Sequence, residues 1–89
     1  MKTMVIFRKF PEGDVIALFP EEKADNQYHC NSYQQIGQHS PASVALCHQL
    51  ERATPQEFAP LKAELERLGY DLTVRQRVSQ AMHARRLAS

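Results

Sequence analysis

From Phe58 onward the apolar residues recur at spacings of three and four, with Phe58, Leu61, Leu65 and Leu68 falling on one stripe of a helix. The helix has a start and a stop. Thr54, Pro55 and Glu57 form a capping-box pattern with proline at the first helical position, and Gly69 supplies a left-handed residue after the last turn. Pro60 cannot donate to the helical ladder, so a bend is expected there, or regular helix only from that point. The period then changes to two: Tyr70, Leu72, Val74 and Val78 alternate with polar residues, as in a half-buried strand.

Toward the N-terminus, Met4 to Phe10 and Asp14 to Phe19 read as two strands joined by Pro11-Glu12-Gly13, which suits a three-residue hairpin loop. Both are apolar on both faces for part of their length, a mark of central strands or of strands covered at one end by something else. Pro20 is expected to end the second strand, with a polar loop to Gln27. Tyr28 to Ile36 reads as a third, more polar strand, with Tyr28, Cys30 and Ile36 on one parity and His29, Asn31, Tyr33 and Gln35 on the other. Gly37 to His39 breaks that pattern. Ser40-Pro41 then resembles a helix start, and Val44, Leu46, Cys47 and Leu50 give an apolar stripe to about Arg52, although Val44, Leu46 and Leu50 also fit a strand.

The resulting order is β-β-β-α-α-β. It predicts an α+β two-layer sandwich, with an antiparallel or mixed four-stranded sheet and two helices on one face. Residues 1–78 form the domain, and 79–89 are expected as a flexible or partly helical C-terminal tail. At 89 residues the chain supports one small core, and its four Phe and three Tyr without Trp keep that core modest. No run of about 20 apolar residues is present to span a bilayer, and Arg8 and Lys9 interrupt the N-terminal apolar stretch too early for a signal peptide. A cytoplasmic protein with no membrane association is the expectation, and two cysteines fit a reducing compartment.

The formal charge of +1 conceals a gradient. Acidic residues outnumber basic ones up to Asp25, whereas Arg75, Arg77, Arg85 and Arg86 face only Asp71 at the C-terminal end. Alternation places Arg75 and Arg77 on the sheet face away from the helices, where Tyr33, His29 and His39 would add aromatic character. These five residues are the candidate binding surface. A protein partner or self-association is the first expectation for such a bare face, and nucleic acid the alternative, although the small net charge weighs against the latter.

A Cys/His-dependent enzyme is the third reading, resting on His29, Cys30, His39, Cys47 and His48. No pair follows a zinc-binding spacing, and Cys30 shares the apolar parity of its strand, so no metal, no cofactor and no catalytic residue is assigned. Glu21-Glu22 and Glu64/Glu66 read as solvated carboxylates, and the three glycines are isolated. The segments CNSYQQIGQHSPA and ATPQEFAPLKAELERLGYDLTVRQR together resemble a family of small uncharacterised bacterial proteins of about 90 residues with no established activity. The resemblance implies a bacterial origin and assigns no functional residue.

Overall fold

The computed structural model describes residues 2–34 and 37–89. Strands β1 (Thr3–Lys9) and β2 (Val15–Lys23) form the expected hairpin, closed by Gly13 at φ +104° and by the Phe10 amide donating to the Asp14 carbonyl. Strand β3 (His29–Gln34) adds to β2, and β4 (Gln38–Ser43) adds to β3. A short helix α1 (Leu46–Gln49) and a two-residue strand β5 (Glu51–Arg52) lead into helix α2 (Pro55–Arg67). Strand β6 (Leu72–Val74) and helix α3 (Gln80–Ala88) complete the chain.

The sheet order is β4-β3-β2-β1-β5. The outer edge of β1 is shared: β6 runs parallel to its first half, from Thr3 to Val5, and β5 antiparallel to its end, at Arg8 and Lys9. Among the described residues six strands, not four, make a mixed sheet. The additional ones are β4, which begins at Gln38 where a break in the pattern was expected, and β5; residues 41–52, expected as a helix or strand, divide between the end of β4, α1 and β5. Ser40-Pro41 therefore starts no helix. Pro41 sits in β4 opposite Asn31, and β4 has one neighbour, the situation in which a strand tolerates proline. Gln35 and Ile36, the end of the third expected strand, lie outside the described residues.

Both faces of the sheet carry helices. Val5, Phe7, Ala17, Phe19 and Tyr33 pack on one side against Phe58, Leu61 and Leu65 of α2. Ile6, Ile16, Leu18 and Cys30 pack on the other against Cys47 of α1 and Met82 of α3. The arrangement has three layers, so two helices on one face is corrected to one helix on one side and two on the other. The reason is in β1 and β2, whose alternate residues are apolar in both directions and need cover on both sides. Residues 79–89 supply part of that cover: Ser79 caps α3 by accepting from the Met82 amide, and Met82 and Arg86 are buried.

Helix α2 forms as its sequence dictates. Thr54 Oγ1 accepts from the Glu57 amide at 3.2 Å while Glu57 Oε1 accepts from the Thr54 amide at 2.9 Å. At the other end, Gly69 at φ +107° lets the Tyr70 amide reach the Leu65 carbonyl and its own amide reach Glu66, closing a Schellman motif. The helix runs unbroken through Pro60, which is exposed. Pro20 likewise does not end its strand. β2 continues to Lys23 with a register shift between Phe19 and Lys23, and the Pro20 carbonyl accepts instead from Arg86. Among the described residues no helix is long and apolar enough to cross a membrane.

Candidate anion-binding site

The end of β1 pairs with β5 through two residues, Arg8 opposite Arg52 and Lys9 opposite Glu51. Alternation sends the two pairs to opposite faces. On the α2 side Lys9 is neutralised twice, by Glu57 at 2.7 Å and Glu51 at 3.1 Å, and these partners raise its pKa. On the α1/α3 side two arginines stand directly opposite each other, an arrangement that is destabilising without a counter-charge. Among the described residues, neither makes a salt bridge.

Arg8 is only 3% exposed. Three backbone carbonyls hold its guanidinium: Nε donates to Cys47 at 3.0 Å, Nη1 to Phe7 at 3.1 Å and Nη2 to Gln76 at 2.5 Å. Burial, with the charge of Arg52 added, pushes the Arg8 pKa down, although an arginine remains charged. A pocket of about 370 Å³ opens over it, lined by Arg8, Cys47, His48, Leu50, Arg52, Arg77 and Val78. Arg52, Arg77 and His48 are exposed around Arg8. Among the described residues the lining contains three arginines and no Asp or Glu.

A second buried cation lies in the same layer. Arg86 of α3 is 3% exposed, donates from Nη1 to the Pro20 carbonyl and from Nη2 to His83 Nδ1, and its Nε has no partner. Removing an ion from water costs several kcal/mol even after relaxation. Dipoles of carbonyl groups offset part of that cost here, yet no acidic side chain is bonded to either buried arginine among the described residues. The layer is thus a source of positive potential in a chain of almost zero net charge.

The five residues expected to share a binding surface are separated. Arg77 lines the pocket. Arg75 is exposed just past β6, its amide continuing the ladder to Val5. The strand stops at Val74, so alternation does not carry to Arg77, and Val78 packs in the layer opposite to Leu72 and Val74. Tyr33 is buried beneath α2, its hydroxyl donating to Glu64, so it forms no exposed platform. His39 of β4 lies opposite Tyr33, with ring centroids 4.7 Å apart, and bonds the Tyr70 hydroxyl at 2.7 Å. His29, at the other end of β3, bonds Asp25 and holds that carboxyl below its usual pKa. The intervening strands place β4 about 14 Å from β1. Tyr33 and His39 are together, Arg77 is at the far edge, and among the described residues no surface unites them.

Cys30 and His39 do not pair either. Cys30 faces α1 and α3, and burial pushes its thiol up to about 11; His39 packs with the aromatic residues on the α2 side. Burial also raises the Cys47 thiol. No group of three His, Cys, Asp or Glu side chains is gathered to hold a metal among the described residues. Glu64 and Glu21 are not free carboxylates but accept from Tyr33 and Arg85.

Sequence reasoning missed Arg8 and Arg52. The signal for Arg8 was its place in β1, on the parity of Met4, Ile6 and Phe10, where a cation has no business in a core unless something uses it. Arg52 carried no comparable signal. No family model, curated protein or solved structure matches the chain.

Proposed function

We propose that this domain is a non-enzymatic binding module that takes an anionic group of its partner into the pocket formed by Arg8, Arg52 and Arg77. One observation carries the reading: two arginines in direct cross-strand register, joined by a third, line a pocket with no Asp or Glu among the described residues, beside a neighbouring pair that is fully neutralised. A bound anion would supply the missing counter-charge.

The expectation of a protein-interaction module rested on a helix-free sheet face, and both faces carry helices. A cationic pocket is a different basis for binding, open to an acidic or phosphorylated protein as well as to a nucleic acid. No aromatic side chain other than His48 lines it, so base stacking on a Phe or Tyr platform does not contribute there.

The test is thermal unfolding at constant ionic strength in chloride and in phosphate. A ligand bound by the native state alone stabilises by RT ln(1 + [L]/Kd), about 2.7 kcal/mol at 100 Kd. Phosphate also stabilises proteins generally by exclusion from their surfaces, so the Arg52→Gln/Arg77→Gln variant is the control. The wild type is expected to gain more than the variant; equal gains would remove the proposal.

A further inference from the structure

Resting on that reading, we infer that the pocket is a receptor for a terminal phosphomonoester carried on a small carbon framework. The donor inventory of Arg8 is the starting point. A guanidinium has five N–H groups, and three are spent on the carbonyls of Cys47, Phe7 and Gln76. One N–H is left on each terminal nitrogen of a side chain held in place by the other three bonds. Two donors on neighbouring guanidinium nitrogens suit two oxygens of one phosphate.

Charge and reach select the monoester. Arg8 is buried while Arg52 and Arg77 are exposed, so a ligand must present a terminus to reach the deepest guanidinium. An internal phosphodiester, with chain on both sides, is hindered in doing so. It also brings one negative charge and two free oxygens, where a monoester brings close to two charges and three oxygens for three guanidiniums. A carboxylate likewise brings one charge, on two oxygens.

Size and lining describe the framework attached to the phosphate. The pocket, of about 370 Å³, extends beyond the guanidiniums to Leu50 and Val78, so a small fragment attached to the phosphate has apolar surface to lie against. That fragment matches a short sugar or polyol phosphate, or the side chain and backbone of one phosphorylated residue in a protein.

Isothermal titration with methyl phosphate, dimethyl phosphate and acetate at matched ionic strength tests the assignment. Methyl phosphate is expected to bind at least about tenfold more tightly than either of the others, the worth of one additional charged hydrogen bond. Arg52→Gln/Arg77→Gln should abolish the difference, and Arg8→Lys, which keeps the charge but loses the paired donors, should reduce it in a chain whose circular dichroism is native. Dimethyl phosphate binding as well as methyl phosphate would overturn the monoester assignment while leaving the anion pocket standing. Absence of binding by all three probes would overturn both. Ribose 5-phosphate and a phosphoserine tripeptide separate the sources: tighter binding of the first assigns a free phosphate ester, and of the second a phosphorylated protein.

Discussion

Replacing Leu65 by alanine tests whether α2 is the chief contributor to its layer of the core. Leu65 is 0% exposed and packs with Phe58 and Leu61 against Val5, Phe7, Ala17 and Phe19. Truncation removes three carbon atoms at about 0.8 kcal/mol each, and the cavity left behind adds to this, for a total of about 2–5 kcal/mol. A chain of 89 residues has roughly 4–13 kcal/mol to lose. The substitution therefore removes a large fraction of the stability, lowering Tm by roughly 10–30 °C. Thr54→Ala, in the same helix, removes one cap bond and should cost only about 1 kcal/mol. Urea unfolding followed by circular dichroism measures both. A Leu65→Ala midpoint within error of wild type, or no larger a change than Thr54→Ala, would refute the packing argument.

Pro60→Ala should stabilise the protein by about 1–3 kcal/mol, because the residue is exposed and a proline inside a helix is about 3 kcal/mol worse than alanine; an unchanged or lower midpoint contradicts this. His83 accepts from Arg86, and burial together with the charges of Arg86 and His48 lowers its pKa below the ordinary 6.5. Between that lowered value and 6.5 the unfolded chain binds more protons, so stability is lost as pH falls through this window. His83→Asn should flatten that part of a Tm-against-pH curve, and a variant with the wild-type slope would show that His83 is not the group responsible. With the Cys30 thiol pushed up to about 11 by burial, native protein should react with a thiol reagent at about pH 8 far more slowly than urea-unfolded protein; equal rates would mean that the α1/α3 layer opens readily.

The best-read parts of the sequence were those whose information is local. Thr54, Pro55, Glu57 and Gly69 act through backbone groups within a few residues, and the helix they delimit is the one observed. The β1–β2 hairpin is local in the same sense. The two-sided apolar character of these strands implied the third layer, but Met82, isolated in a segment expected as a flexible or partly helical tail, did not mark that segment as the cover. Edge strands were harder. Pro41 and Ser40 are shared by helix starts and unpaired edges, and only pairing with β3 decides between them.

The candidate site depends on distant pairings, which single-strand periodicity does not contain. Arg8 and Arg52 are 44 positions apart and meet because β5, two residues long, docks beside the end of β1. Arg77 joins them because the chain leaves β6 at Val74, three residues earlier than a continued alternation required. Alternation ends with β6 at Val74, and among the described residues no helix-free face remains for Arg75 and Arg77 to share.

Nuclear magnetic resonance tests the central claim most directly, by titrating labelled protein with potassium phosphate at constant ionic strength. The account predicts saturable shifts of the Arg8, Arg52 and Arg77 side-chain Nε–H signals, with the amides of His48 to Leu50 and Gln76 to Val78, while α2 stays still. Shifts spread over Lys62, Arg67 and Arg85, or none that saturate, would contradict it.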